Sequence, residues 1–373
     1  MSRFLARTLP ITLATLACTT LALAGPLSPP VGPVTSTSKP IGEIEPRIAI
    51  NSTNTPGDND ATPSVFKITQ PGSYYLSSSF SVPNATRGIE VAANNVTIDL
   101  NGFTITGLAG SINAIAALGG TENVSVINGT VQSLGNVSIS LSAVSFGRIE
   151  NLLVQNGSGD GIRTGPGFIF RNCTAKNNAG YGYFLSSYTS IDSCSAIGNG
   201  IDGFNTGLSC SLRNCIAHLN TGAGITGASR SIVTSCTANQ NGQGITVSSF
   251  SLITNCNSTN NNSIGFGISS NSSILNCNAS SNGVTSVAAG ILVTGSNVRV
   301  EGNNSVGSDT GFEVTGISNI IIRNTASGNT TAWNIVAGNA IGPIVATSAS
   351  AAVNGSTGAS SLNTTDPNAN FSY

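Results

Sequence analysis

Cysteines recur at an almost fixed interval through the middle of this chain: Cys173, Cys194, Cys215, Cys236, Cys256 and Cys277, in steps of 21, 21, 21, 20 and 21 residues. An asparagine stands five residues after each (Asn178, Asn199, Asn220, Asn241, Asn261, Asn282), and Ala or Ser stands two residues after (Ala175, Ala196, Ala217, Ala238, Ser258, Ala279). Three columns in one register mean one structural unit counted repeatedly. A period near 21 residues belongs to a solenoid, in which each coil covers the apolar face of its neighbour.

Composition decides which solenoid. With 8% charged residues the strong helix formers Lys, Arg and Glu are scarce, while 44 glycines and many Asn, Ser and Thr suit turns and short strands. The coils are therefore expected to be β. A leucine-rich repeat has a similar period but needs a repeated leucine framework and a helix-forming return segment, and neither is present. A net charge of −1 leaves no basic footprint for nucleic acid.

Each coil reads as three short strands. Phe168–Arg171 and the equivalent stretches around Ile191, Leu212 and Val233 form the first, and Asn172, Ser193, Asn214 or Ser235 makes the bend. The cysteine opens the second strand. Asparagine tolerates left-handed backbone angles, and stacked side-chain amides can hydrogen-bond along the axis. The third strand follows the Asn-rich stretch, as in Gly180-Tyr181-Gly182-Tyr183. A small residue followed by an inward apolar one tracks it: Ile89, Ile115, Leu141, Ile162, Tyr183, Phe204, Ile225, Ile245, Ile268, Ile291, Phe312 and Ile335. The cysteines are expected to stack as buried free thiols; Cys210 lies outside the column and is open to a local disulfide or a solvent-facing position.

The N-terminal residues have the layout of a secretory signal: Arg3 and Arg7, an apolar run from Leu9 to Leu23, then Ala22-Leu23-Ala24 before Gly25. Cleavage is expected after Ala24, giving a secreted or otherwise extracytoplasmic protein. Lipid attachment at Cys18 is disfavoured, because Leu16 stands one position late for that signal. No other apolar run reaches the length of a membrane span. The expected organisation is a signal peptide (1–24), a flexible leader (25–46), an N-terminal cap (47–88) around Pro71-Gly72, the solenoid (89–345), and a frayed low-complexity tail (346–373).

Coils such as Ile191-Asp192-Ser193-Cys194-Ser195-Ala196, the Asn columns, and the run from Asn95 to Phe103 resemble bacterial secreted right-handed parallel β-helix repeat proteins of the pectate-lyase-like superfamily. The likeness covers about residues 48–345. It implies an all-β, single-stranded right-handed parallel β-helix of about 11 coils with an N-terminal cap. For activity it implies only a range: polysaccharide lyases, glycoside hydrolases, uronan epimerases and adhesins. The Asn-Thr-Asp, Asp-Asp and Gly-His-Gly motifs of polygalacturonases and the Asp-Pro-His motif of alginate epimerases are absent, which lowers the expectation of an enzyme.

Two clusters of chemistry-bearing residues remain. Asp160, Tyr181 and Asp202 stand one per coil before the third strand, with Arg163 and Asn205 three residues further on and Tyr183 nearby. Two carboxylates two coils apart sit roughly 9–10 Å apart at the backbone, within reach of the separation for inverting glycoside hydrolysis, with tyrosine as a sugar platform. The plainer reading is that Asp-Gly serves a turn. On the first strand Arg171, Asp192 and Arg213 alternate, as a salt-bridge ladder or as two forks for a uronate carboxylate. Lys176 and His218 share a third column as isolated candidate bases. No resident cofactor or metal is expected; Asp160, Asp202 and Asn205 offer at most a weak calcium site. The expected partner is an extracellular polysaccharide or cell-surface glycan, and the alternative is a non-catalytic surface or adhesion rod.

Overall fold

The computed structural model describes residues 45–283, 288–346 and 364–373. The expected signal peptide, nearly all of the expected leader, and the first part of the expected tail lie outside them. From Glu45 onward the chain forms one unit, and its described regular elements are all strands. Most coils contribute one short strand to each of three faces, whereas Glu122–Gln132 and Ser145–Gln155 each run through two faces as one strand, and neighbouring coils pair in parallel. On the first face Phe168–Arg171 is followed by Ser190–Asp192 and Ser211–Arg213; on the second, Thr174–Lys176 by Ser195–Ile197 and Ile216–His218. The third face is a separate sheet of 14 strands, including Ile162–Thr164, Tyr183–Leu185, Phe204–Thr206, Ala223–Gly227 and Gln243–Val247.

One of those 14 strands, Pro56–Asp58, pairs antiparallel with Ser64–Ile68 and closes the N-terminal edge of this face. The other pairings there are parallel, so the solenoid has about 13 coils, where the sequence pointed to about 11. The difference arises at the N-terminal end. Ser64–Ile68 and Gly72–Leu76, expected as cap, already pair in parallel with Arg87–Val91 and Val96–Asp99.

All three bends use one device: a residue in the left-handed region, then a buried residue that reaches the adjacent coil. At the first bend the left-handed residues are Asn172, Ser193, Asn214 and Ser235, with φ of 52°, 55°, 54° and 54°, each followed by a buried cysteine. At the second, the buried residue is the asparagine of the five-residue offset. Its amide is shared along the stack: Asn178, Asn199, Asn220 and Asn241 each donate a backbone N–H to the next Oδ1, at 3.1, 3.0, 3.0 and 2.9 Å. At the third bend Ser231 and Ser251 do the same toward Ser251 and Ser272. Cys210 belongs to this third column between Thr189 and Ser231; it is buried and unbridged, which removes both the disulfide and the solvent-facing position.

Toward the C-terminal end the thiol column is replaced by amides. The Cys277 backbone N–H donates to Asn303 Oδ1, Asn303 to Asn324, and Asn324 to Asn370, each at 2.9 Å. Asn370 lies in the strand Asn370–Ser372, which inserts between Thr325–Ser327 and Ile344–Ala346. The expectation of a frayed tail therefore does not hold for residues 364–373. A buried amide that completes a ladder outweighs the loose composition around it.

The small columns have a steric cause. A Cβ at Gly203 would stand 2.7 Å from the Gly224 carbonyl oxygen, 2.8 Å from Asn220 Nδ2 and 3.0 Å from the Ala196 Cβ, so ladder amide, glycine and alanine share one space. Inside, aromatic rings stack: Tyr183 lies parallel to Phe204 at 4.6 Å and edge-on to Phe170 at 5.9 Å. Three inward positions were misplaced by two residues. The register partners are Ile139, Phe266 and Trp333, where Leu141, Ile268 and Ile335 were expected. A slip of two leaves a side chain on the same side of a strand, so alternation cannot detect it.

Hydrogen-bonded neighbouring thiols, and then burial, push Cys194, Cys236 and Cys277 well above the ordinary thiol range. All seven described cysteines are buried, so whatever their ionisation a maleimide dye at pH 8 should label none of them until denaturant is added. Rapid labelling of the folded protein at Cys194 or Cys236 would contradict this packing.

Candidate functional site

The third face presents one outward column, in register from coil to coil: Arg163, Phe184, Asn205, Thr226, Thr246 and Gly267. Beside it, two residues before the inward position, stand Asp160, Tyr181, Asp202, Ala223 and Gln243. Period-two alternation turns the Arg163 column outward while Tyr183, Phe204 and Ile225 fill the core; the Asp160 column lies at the bend before them, where Asp160 and Ala223 are buried and Tyr181, Asp202 and Gln243 reach the surface.

Asp160 and Asp202 hold the same structural post. Asp160 Oδ1 accepts the Tyr181 backbone N–H at 2.9 Å, and Asp202 Oδ1 accepts the Ala223 N–H at 2.8 Å, each tying its coil to the next. Beyond that they differ. Asp160 is buried and its second oxygen is paired with Arg163 Nε. Asp202 is half-exposed, and its Oδ2 accepts from Thr226 Oγ1 at 3.0 Å and Asn205 Nδ2 at 3.2 Å. The two carboxylates therefore do not face a shared opening: Asp160 is buried and ion-paired, and Asp202 alone of the two reaches the surface. Tyr183 also leaves the expected contact set: it is fully buried, and its hydroxyl donates to the Ser195 carbonyl at 3.2 Å.

Tyr181 stays at the surface. Its ring lies 5.1 Å from that of the exposed Phe184, and the Arg163 guanidinium stands 5.2 Å over Phe184. Next to this platform a groove of about 440 Å³ begins at Asp202 and runs between Thr221, Thr226, Gln243, Thr246 and Ser263. A second recess of about 240 Å³ continues it past Thr226 and Thr246 toward Ser248 and Thr294. Gly267 keeps its floor open, since a Cβ there would meet the Thr246 methyl at 3.1 Å. Thr226, Gln243 and Thr246 were missed at the level of sequence. They occupy the columns of Arg163 and Asp160 a few periods further on, so extending those columns would have found them.

Arg171 and Arg213 lie elsewhere, on the first face. The alternating ladder does not form: Arg171 Nη1 pairs with Glu150 at 3.5 Å, and Asp192 accepts from Asn214 Nδ2 at 3.1 Å. Stacking places Arg171, Asp192 and Arg213 in register, yet Glu150 one coil earlier is the arginine's partner. Lys176 and His218 do share a column, on the second face, where His218 Nδ1 is 3.2 Å from the Asn239 carbonyl. Neither is near the groove's column. Among the described residues Asp58, Asp60 and Glu90 bring ligand atoms within 4.8 Å of one another, and the Lys67 ammonium already stands 2.5 Å from Asp58 and 2.7 Å from Glu90. That lysine supplies the positive charge a cation would bring.

Comparison with known proteins gives the fold a family context. The description "Right handed beta helix region" matches residues 113–251. No curated protein matches the chain. Among solved structures, the A-module of Azotobacter vinelandii mannuronan C-5 epimerase AlgE6 is similar at 20% identity, with 72% of this chain and 89% of that chain covered and a TM-score of 0.62. The A-module of AlgE4 from the same organism is similar at 16% identity, covering 72% and 90%, with a TM-score of 0.51. A double mutant of the periplasmic alginate epimerase AlgG is similar at 12% identity, covering 74% and 81%, with a TM-score of 0.53. At these identities the likeness is one of architecture: the chain is a parallel β-helix. Among the described residues no helix is long and apolar enough to cross a membrane.

Proposed function

We propose that this chain is an exported glycan-binding protein that holds a polysaccharide along its third face. One observation carries the reading: an aromatic and guanidinium platform, Tyr181, Phe184 and Arg163, stands in the same columns as, and one coil before, Asp202, where a groove edged by a carboxylate, an amide and hydroxyls begins. A pyranose has an apolar face bordered by hydroxyls, and this strip offers a partner for each. The fold neighbours named above act on mannuronan and alginate, which supports a polysaccharide as the ligand class. Binding is favoured over catalysis because Asp202, the accessible acid of the strip, is already occupied by three donors and has no second acid or base opposite it.

Affinity electrophoresis in gels containing individual neutral and uronic-acid polysaccharides tests this. At least one glycan should retard the protein. Replacing Tyr181 and Phe184 together with alanine should weaken that retardation about tenfold, the worth of two exposed stacking contacts. No glycan should yield reducing ends or unsaturated products. Unchanged retardation of the double variant, or retardation by none of the glycans, would remove the reading; product release would turn it toward an enzyme.

A further inference from the structure

The third bend differs from the other two in placing aromatic rings at the left-handed position, where the second has Leu219 and Gln240 among its residents and the first has Arg323. At the third bend the column includes Tyr188, Ser209, Arg230 and Phe250 in successive coils, with φ of 62°, 59°, 64° and 61°. Bulky side chains are disfavoured in this region, where Asn and Gly are the ordinary residents. In the next two coils Asn271 and Asn297 do the same job at φ of 56° and 59°. Nor does packing compensate for the larger residues: Tyr188 is 68% exposed and Phe250 59%. Backbone strain without burial points to a role outside the fold itself.

The surroundings say what the row fits. Leu208 is exposed beside Tyr188, and the Arg230 guanidinium stands 5.9 Å over the Phe250 ring. Ser187, Ser229, Ser249 and Ser270 immediately precede the column, so each platform has a hydroxyl at its side. The corner also adjoins the groove of the third face. Its second recess is lined by Gly227 and Ser248, three and two residues before Arg230 and Phe250. Tyr188 and Phe250 are separated by three strand spacings, about 14 Å along the axis.

We propose that this corner is a second contact row for pyranose rings of the same polysaccharide, a strand of which leaves the groove beside Phe250 and runs along the axis toward Tyr188. This extends the glycan reading of the third face and rests on it. Longer polymers would engage both rows and short oligosaccharides only the groove, so the row contributes through avidity.

Tyr188→Asn, Phe250→Asn and the double variant test it in two ways. Asparagine already serves at this position, so the Tm of each variant should equal or exceed that of the parent protein. Retardation by the polymeric glycan should weaken about tenfold in the double variant, while binding of a short oligosaccharide of the same glycan stays unchanged. A Tm lowered by several degrees would show that the aromatic residues hold the fold together and would overturn the proposal. Undiminished polymer binding would overturn it too, with the third-face groove left standing. If the parent protein binds no glycan, both readings fall.

Discussion

Asn220→Ala is expected to destabilise the protein by about 4 kcal/mol, from four buried hydrogen bonds at about 1 kcal/mol each. Its Oδ1 accepts from the Asn199 backbone N–H at 3.0 Å and from Asn199 Nδ2 at 2.9 Å. Its own Nδ2 donates to the Ala196 carbonyl at 3.0 Å and to Asn241 Oδ1 at 2.9 Å. Truncation removes all four in a site that is closed to solvent and leaves the Asn199 backbone N–H without its acceptor. The Tm should fall on the order of 10 °C, and the urea midpoint should fall with it. Asn172→Ala is the matched control, an exposed left-handed position where alanine costs about 1 kcal/mol. Equal losses at the two positions would show that the buried amide column is not what joins the coils.

The second large effect separates two tyrosines that stand two residues apart. Tyr183→Ala removes a fully buried ring, its parallel stack on Phe204 and its bond to the Ser195 carbonyl, and should cost about 3–5 kcal/mol. Tyr181→Ala removes a surface ring and should leave the urea midpoint within about 0.5 kcal/mol of the parent while weakening glycan retardation. Burial, and then the neighbouring thiols, push the Tyr183 phenol well above the usual tyrosine range. The neutral form is the one the fold favours, so its contribution is intact below the unfolded pKa and is lost as pH rises toward the folded value. In an alkaline titration followed by phenolate absorbance, Tyr183 should ionise only together with unfolding. A stable, glycan-deficient Tyr183→Ala protein would reverse the assignment of the two rings.

Much of this fold was legible beforehand because a solenoid turns sequence spacing into spatial adjacency. Residues 21 apart stack, so the thiol column, the buried asparagines and the small residues beside them could be read as neighbours without coordinates. The candidate site was legible only in part. Asp160, Tyr181, Asp202, Arg163 and Asn205 do lie together on one face, as their shared register required. Their register could not say that Arg163 closes over Asp160, because that depends on which rotamer a long side chain takes among several coils. Nor could it tell that Arg171 turns toward Glu150 in the preceding coil and away from Asp192 in the next.

The handover from thiols to amides was hidden for a different reason. Cys277, Asn303 and Asn324 are separated by an irregular step of 26 and then by 21 residues, and Asn370 reaches Asn324 across 46. A ladder position is defined by where a side chain lies against the coil before it, and an insertion breaks the count without moving the chain off the axis.

Sequence alone determined the period, the three-strand coil and the inward columns, since these follow from apolar burial and from residues that tolerate left-handed bends. Tertiary structure alone decided which outward side chains stay free, that Asp160 is closed in while Asp202 edges the groove, and that the last ten residues supply a ladder strand. The physical reason is that burial of a column is set by repetition, whereas exposure of one side chain depends on the particular neighbours that adjacent coils place beside it.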